Sequence, residues 1–323
     1  MELRVFRLGL FQDGDVGVGV FPEGQEVSIG VRVLDRGHRG VLCRLPRVSI
    51  EELDSIVTAT GVPTLLGIPF DAHSSTLRGA GEAPAKIREA FRNKASNPCT
   101  ELGIDLSAAG MYEDAGDLEL KEESAFAAIE AAAGTLLEHG KRLVLLGGDH
   151  SITYPIVKAF ARRYPELTIV HFDAHPDLYD EYEGNRLSHA CPFARIMEAG
   201  LAKRLVQVGI RTINRPQREQ AERFGVEVVE MRALPAYDKL KASGPVYISL
   251  DLDVLDPAFA PGLSHREPGG MSVREAIAHL HAIEGEIVGA DIVEYNPVQD
   301  VAGVTATVAA KIVKEILGKM IAG

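Results

Sequence analysis

The sequence predicts an α/β fold, a three-layer α-β-α sandwich with a mostly parallel central sheet, together with an N-terminal β-hairpin extension. From residue 64 onward, short apolar runs alternate with helical patterns, which is typical of βαβ units whose sheet is covered on both faces. Residues 1–48 differ, because they are rich in glycine and contain short alternating runs. We therefore expect a β-rich extension over residues 1–48 and a larger domain over residues 49–323.

The hairpin is predicted from two runs of β type, at residues 27–33 and 41–45. Between them lies the sequence DRGHRG, residues 35–40, whose glycines and aspartate favour a turn. The extension is therefore expected to decorate the larger domain.

In the larger domain, short apolar runs predict buried strands, and segments with helical periodicity predict helices. The predicted strands are 64–68, 143–146, 168–172, 205–208, 226–229, 246–252 and 287–293. The predicted helices are 120–139, 151–163, 216–224, 272–282 and 304–321. Residues 92–117 and 174–192 are predicted to be loops, and no repeat or linker divides the region.

The composition restricts the function. A chain of 323 residues with 46% hydrophobic and 25% charged residues is typical of a globular enzyme. Its formal net charge of −12 disfavours nucleic acid or a membrane surface as the main partner and suits a small cationic one. There is no apolar run of about 18 residues and no recognisable signal or transit peptide, so we expect a cytoplasmic location. The cysteines show no disulfide or zinc-site spacing.

Acids and histidines follow two of the predicted strands. Asp173, His175 and Asp177 come directly after strand 168–172, and Asp251 and Asp253 lie at and just beyond the end of strand 246–252. In an extended backbone alternate side chains share a face, so each set can converge on one point. Ligands of open α/β sheets bind beyond the carboxyl ends of strands, which makes this edge the expected site.

A third strand end adds a histidine. His150 follows strand 143–146 after the pair Gly147 and Gly148, which permits a tight turn and a close approach of another group. Aspartates and histidines without sulfur form a hard ligand set that favours Mn²⁺, although Ni²⁺ and Co²⁺ bind the same donors. Two divalent cations would balance the charge of four ionised aspartates, so we expect two ions.

Other interpretations of these residues stay open. His171 inside an apolar strand is more often a core residue, and Asp149 and Asp256 have the positions of helix caps or turn formers. Asp149, His150 and Ser151 are contiguous, yet a catalytic triad depends on geometry and not on adjacency. Cys191 near His189 is a further candidate nucleophile, although free cysteines are usually inert and buried.

Three segments resemble the signatures of the ureohydrolases, the family of arginase, agmatinase and their relatives. They are GGDHS at residues 147–151, DAHPD at 173–177 and SLDLDVLDP at 249–257. The resemblance extends from about residue 64 to the C-terminus and implies an arginase-like fold for residues 49–323. Within the family, residues 179–190, 193–198 and 223–227 are most similar to plant-type arginases.

The resemblance implies a set of site residues. One Mn²⁺ would be held by His150, Asp173, Asp177 and Asp251, and the other by His175, Asp173, Asp251 and Asp253. Such a pair lowers the pKa of a shared water, so that hydroxide is available near neutral pH to attack a guanidinium carbon. Glu294 would hold the guanidinium, His189 would shuttle protons, and Asp177 would make the first proton transfer.

The implied reaction is hydrolysis of L-arginine to L-ornithine and urea by a metal-dependent amidinohydrolase. Agmatine and a 4-guanidino acid are the alternative substrates, and a catalytically inactive ureohydrolase-like binding subunit is a remote alternative. The candidates for reading the far end of the substrate are Asn185, Ser188, His73 and Arg78, while Tyr179 stands where animal-type arginases have an asparagine. The resemblance also implies a homo-oligomer, a trimer or a hexamer.

Overall fold

The computed structural model of the protein describes residues 8–10, 16–18, 47–56, 60–236 and 240–323. The chain divides into two compact units, Met1–Cys43 and Arg44–Gly323. In the first unit, strands β1 (Leu8–Leu10) and β2 (Val16–Val18) pair in antiparallel fashion. The predicted hairpin strands, 27–33 and 41–45, lie outside the described residues, and the boundary after residue 48 stays a prediction.

The second unit is built on a parallel sheet. Its described strands are β3 (Arg47–Val48), β4 (Pro63–Gly67), β5 (Glu113–Leu118), β6 (Arg142–Leu146), β7 (Thr168–Phe172), β8 (Arg204–Ile210), β9 (Glu227–Glu230), β10 (Lys241–Asp251) and β11 (Glu284–Val293). They lie in the order β3-β5-β4-β6-β11-β10-β7-β8-β9, and each pairing is parallel. The chain therefore starts at one edge of the sheet with β3, reaches the other edge with β9, and returns to the centre with β10 and β11.

Helices cover both faces of this sheet. They are α1 (Ile50–Ile56), α2 (Ala83–Phe91), α3 (Ala125–Glu138), α4 (Thr153–Arg163), α5 (Pro192–Glu198), α6 (Arg215–Phe224), α7 (Val273–Ala282) and α8 (Val304–Ala322). Helices α2, α7 and α8 contribute to one apolar cluster, and α1, α3, α4, α5 and α6 to the other. The predicted α-β-α sandwich is confirmed. Among the described helices, none combines the length and apolar character needed to cross a membrane.

Most predicted elements are present with shifted ends. Strand β7 has the predicted bounds, whereas β10 begins five residues before the predicted 246 because Lys241 and Pro245 already pair with the start of β11. Helix α3 begins at Ala125 and not at residue 120, since Glu122–Ser124 forms a separate 3₁₀ turn. Helices α6 and α7 begin after Asn214 and Ser272, each of which forms a capping box.

The predicted loop 92–117 was wrong at its end, because Glu113–Leu118 forms strand β5. Aspartates such as Asp114 and Asp117 are typical of loops, but in the structure Arg88 on α2 pairs with both. Arg88 Nε lies 3.0 Å from Asp114 Oδ1, Nη1 donates to Asp117, and Nη2 donates to the Gly116 carbonyl at 2.7 Å. The Arg88 side chain is only 5% exposed, so its charge stabilises an acidic strand inside the sheet.

Replacing Arg88 with leucine should destabilise the protein by about 3 kcal/mol, because the partly buried Asp117 would lose its cation and Asp114 one of its two. The midpoint of chemical unfolding measures the change. Lys86→Ala is the matched control on the same helix, since Lys86 pairs with Glu89 in solvent and such pairs contribute little. Equal midpoints for Arg88→Leu and Lys86→Ala would contradict this account of β5.

Candidate metal centre and active site

Four neighbouring strands at the centre of the sheet, β6, β11, β10 and β7, end at one edge. His150 follows β6, Asp173 follows β7, Asp251 is the last residue of β10, and Glu294 follows β11. Because parallel strands place their carboxyl ends on the same side, residues far apart in the chain meet there. The structure thus brings the predicted ligands to one place.

A glycine pair allows β6 to end close to the neighbouring loop. A Cβ on Gly148 would collide with the carbonyl oxygen of Phe70, to which Asp149 N donates at 2.9 Å. The Gly148 carbonyl accepts from Glu294 N at 2.8 Å. The missing side chain therefore lets three segments of the site approach one another.

His150 faces a cluster of carboxylates. Its Nδ1 lies 3.2 Å from Asp173 Oδ2, 3.1 Å from Asp177 Oδ2 and 3.3 Å from Asp251 Oδ2. This buried nitrogen makes no hydrogen bond to any described residue. A nitrogen surrounded by three carboxylate oxygens in this way has the environment of a metal ligand.

The other nitrogen of His150 determines which tautomer faces the carboxylates. Nε2 lies 2.9 Å from Ser249 Oγ, and Ser249 donates its proton to Asp291 Oδ1 at 2.7 Å. Since the serine proton is used, Ser249 Oγ must accept from Nε2–H. The lone pair of neutral His150 is therefore on Nδ1, toward the carboxylates.

A second cluster lies beside the first. His175 Nδ1 is 2.8 Å from Asp253 Oδ2 and 3.5 Å from Asp173 Oδ1. Asp173 faces both histidines, one with each oxygen, which is the position of a bridging ligand. Asp251 directs Oδ2 to the first cluster, while its Oδ1 accepts from Asp253 N at 2.7 Å.

His171 is a site residue that the sequence interpretation placed in the core. It is buried and stacks on Phe193, but its Nε2 lies 2.7 Å from Asp173 Oδ2. Together with His150 and Asp173 it forms a group that could hold a metal ion. The signal was in the sequence, because His171 precedes Asp173 by two residues and shares its face of the strand.

The electrostatics of the clusters favour a cation. Burial and the charges of Asp253 and Asp173 raise the pKa of Asp251 well above its usual value. Burial and the charge of Asp173 likewise raise the pKa of Asp253 to about 6. Burial lowers the pKa of His150, but the three surrounding carboxylates outweigh it and raise that pKa. Divalent cations would relieve this repulsion, so the donor set fits a pair of them.

Glu294 and His189 form a pair at the edge of the clusters. His189 Nδ1 lies 2.9 Å from Glu294 Oε1, which also accepts from His150 N at 2.9 Å. Glu294 Oε2 is buried and has no hydrogen-bond partner among the described residues. Asp177 and Glu294 both have positive φ, 49° and 64°, so the surrounding structure holds both backbones in a conformation that is unusual away from glycine.

This pair shifts both pKa values. Burial lowers the pKa of the His189 imidazole, but the charge and hydrogen bond of Glu294, with the charges of Asp177 and Asp149, raise it to about 9. Burial raises the pKa of Glu294, but the charge and hydrogen bond of His189 lower it overall. His189 is therefore a proton donor near neutral pH when charged.

A cavity of about 500 Å³ opens over the clusters. It contains His175, Asp177, Asp251, Asp253, His189 and Glu294 of the predicted site. Asn185, Ser188, His73 and Arg78 are not among its lining residues, and a role at the far end of the substrate stays a prediction for them. Asn185 Oδ1 accepts from Leu187 N in a turn, and Ser188 is buried.

Residues that the sequence interpretation missed complete the wall. They are Ser75, Tyr182, Arg211, Thr212, Ile213, Asn214, Gln217 and His265, in addition to Tyr179. Most follow β8 or precede α7, and no motif marks them. Only the order of strands in the sheet brings these loops over the clusters.

The interpretation of Asp149 and Asp256 as helix caps or turn formers agrees with the structure. Asp149 accepts from His73 N at 2.8 Å and from Ser151 N at 3.0 Å, and Asp256 accepts from Gly269 N at 2.7 Å. Ser151 therefore belongs to a cap, and His150 faces carboxylates, so they do not form a triad. Burial raises the pKa of the Cys191 thiol to about 12, which makes it a poor nucleophile.

The parallel sheet and its paired aspartate–histidine clusters define a metal-dependent α/β enzyme. The model of the arginase family matches residues 63–318. The chain therefore belongs to the arginase family, whose members are hydrolases that act on guanidino compounds. The predicted ureohydrolase resemblance and the arginase-like fold are confirmed.

The similar proteins include plant arginases. "Arginase 1, mitochondrial" of Arabidopsis thaliana is 46% identical over 275 residues, which are 80% of this chain and 80% of that one. The structure of an arginase from Medicago truncatula has a TM-score of 0.77 and 42% identity, and the match covers 84% of this chain and 91% of that one. The agmatinase of Bacillus subtilis is 34% identical, with 88% and 97% covered. The predicted likeness to plant-type arginases is confirmed.

The predicted cytoplasmic location is contradicted. Plant relatives at 43–46% identity are named mitochondrial or chloroplastic/mitochondrial. The prediction rested on the absence of a recognisable targeting segment, and that absence is weak evidence because targeting peptides are read from composition and have no fixed sequence.

Asp251→Asn should reduce metal content at least about tenfold, because it removes a charge that faces His150 and neighbours Asp253. Elemental analysis after dialysis measures the content, and loss of hydrolysis should accompany it. Glu219→Gln is the control, since it removes an equal charge from the surface of α6. Full metal content with retained activity would remove Asp251 from the ligand set.

Proposed function

We propose that this protein hydrolyses L-arginine to L-ornithine and urea at a pair of Mn²⁺ ions. The observation that carries the proposal is 43–46% identity to plant arginases over about four fifths of the chain. The two clusters at the sheet edge support it, because they offer the oxygen and nitrogen donors that such ions bind. Agmatinases are the more distant relatives.

The first ion would be held by His150, Asp173, Asp177 and Asp251, and the second by His175, Asp173, Asp251 and Asp253. Divalent cations in such a site lower the pKa of water and so supply a nucleophile at neutral pH. Ni²⁺ and Co²⁺ use the same donors, so the choice of Mn²⁺ rests on the preference of aspartate-rich sites for hard ions. His171 would orient Asp173 from behind.

Glu294 would hold the guanidinium of the substrate. Glu294 lines the cavity. Its Oε1 accepts hydrogen bonds from His189 and His150 N, whereas Oε2 is buried without a hydrogen-bond partner among the described residues. A carboxylate oxygen left free in this way is an acceptor for a guanidinium N–H, and the opposite charges strengthen the bond. The hydrogen bond from His189 keeps Glu294 ionised, because it lowers the pKa of that carboxyl.

His189 and Asp177 would move protons. Cleavage of the C–N bond requires a proton on the leaving amine, and an imidazole with pKa of about 9 holds one at neutral pH. Asp177 lines the same cavity and would make the first transfer, from the attacking water. His189 is fixed in place by its hydrogen bond to Glu294.

The far end of the cavity favours a substrate with a carboxylate. Arg211 lines the cavity, and its Nη2 donates at 2.6 Å to the carbonyls of Asp253 and Glu267, with no carboxylate of a described residue at ion-pair distance. Its Nε and Nη1 also donate to backbone carbonyls, so Arg211 would act on the substrate through its charge and not through a free N–H. That charge would attract the α-carboxylate of arginine and repel the ammonium tail of agmatine. Tyr179 adds a hydroxyl, which accepts from Asn214 Nδ2 and so keeps its own proton for the substrate.

We also propose that the protein assembles as a homo-oligomer, a trimer or a hexamer, as the family resemblance implies. The division of the chain into a β-rich extension and a catalytic domain after residue 48 remains part of this proposal. Light scattering of the full chain tests the assembly.

Urea release from L-arginine, agmatine and 4-guanidinobutyrate tests the substrate. The highest kcat/KM is expected for L-arginine. Tyr179→Phe should raise the KM for L-arginine about tenfold, since it removes one hydrogen bond to a charged group, and should leave agmatine unchanged. A clear preference for agmatine would overturn the arginine assignment, and equal effects on both substrates would place Tyr179 at the guanidinium end.

His189→Ala should lower kcat by about 10² or more while metal content stays constant, as expected for loss of a proton-transfer group. Steady-state kinetics and elemental analysis separate the two effects. His279→Ala on α7 is the control, because His279 does not line the cavity. Unchanged turnover would exclude His189 from the reaction.

A further inference from the structure

Ser75 lies on the loop between β4 and α2 and contacts His189 directly. Its Oγ is 2.8 Å from His189 Nε2, and its backbone N donates to the same nitrogen at 3.2 Å. The loop is held in place because His73 N donates to Asp149 Oδ2 at 2.8 Å and His189 N donates to the His73 carbonyl at 3.2 Å. The two ring nitrogens of His189 therefore have separate partners, Glu294 and Ser75.

These contacts specify the tautomer. A backbone N–H can only donate, so Nε2 presents its lone pair to Ser75 N, and the single proton of the neutral ring is on Nδ1, toward Glu294. Any second proton must enter or leave the ring at Nε2. The nearest group able to accept it from there is the Ser75 hydroxyl, whose oxygen has free lone pairs.

We infer that Ser75 is a positioning residue that passes protons between His189 and solvent. This inference rests on the proposed function, in which His189 must regain its proton in every turnover. In the inward step, the Ser75 O–H bond breaks as His189 Nε2 takes that proton, and Ser75 Oγ takes a replacement proton from a protonated donor in solvent, whose own bond to that proton breaks. The hydroxyl is regenerated, and one proton has moved.

The exposure of Ser75 and the charges around His189 agree with proton transfer from solvent to His189. Ser75 is half-buried and lines the cavity, whereas His189 is only 8% exposed. The other groups around the ring are Glu294, Asp177 and Asp149, which favour its cation, and His265, whose ring centroid is 5.3 Å away. His265 Nε2 is paired with Thr76 Oγ1 at 3.0 Å, so Ser75 is the contact of Nε2 that reaches the cavity.

The test compares Ser75→Ala with Ser74→Ala in the metal-loaded enzyme. Ser74 is the adjacent serine with similar burial, and its hydroxyl forms no hydrogen bond to His189 or to any other described residue. Ser75→Ala should lower kcat about tenfold, with KM and metal content unchanged. Raising the concentration of HEPES at constant pH and ionic strength should restore turnover, because the protonated buffer replaces the relay as proton donor. Ser75→Thr retains a hydroxyl and should keep most of the turnover.

A Ser75→Ala variant with the kcat of the wild type would overturn the inference. So would a fall in kcat that the buffer does not relieve, or an equal fall in Ser74→Ala, since either points to a structural role of the loop. Absence of urea release from every guanidino compound by the wild type would instead refute the proposed function. The relay is tested only by the ratio of the kcat of Ser75→Ala to that of the wild type.

Discussion

The burial of four aspartates against one another is the constraint on which this molecule depends. Asp173, Asp177, Asp251 and Asp253 lie where water scarcely reaches, and their charges repel. Such an arrangement costs several kcal/mol for each ion unless cations occupy it. The same repulsion makes the site selective for highly charged ions, since a singly charged cation would leave most of it uncompensated.

The rest of the structure prevents these carboxylates from moving apart to reduce their electrostatic repulsion. Backbone amides bind their inner oxygens, as Asp253 N does for Asp251 and Ala174 N for Asp253. A buried network behind His150 runs through Ser249 to Asp291, which also accepts from the Tyr247 hydroxyl at 2.7 Å and the Thr153 hydroxyl at 2.9 Å. This network fixes the ring, so the ligands are oriented before any ion binds.

Sequence patterns predicted the central strands well but missed the acidic strand β5. Strand β7 has its predicted bounds because its branched apolar residues have only one suitable environment, a sheet covered on both faces. Strand β5 escaped prediction because its acids depend on cations elsewhere in the chain: Arg88 lies 26 residues from Asp114, and Lys141 lies 28 residues from Glu113. His171 was assigned to the core because a core residue and a buried metal ligand look alike in a strand. Both have a side chain that points inward.

By itself, the sequence determined which residues stand at the ends of buried strands, because alternation along a strand is a local property. It thereby determined the clusters of aspartate and histidine and the family they indicate. Only the tertiary structure decided which carboxylates face His150 and which face His175, and which loops form the wall above them. The reason is physical: the distance between two strand ends depends on the order of strands in the sheet. The contacts of Ser75 with His189 and of Arg211 with Asp253 likewise join residues that are far apart in the chain.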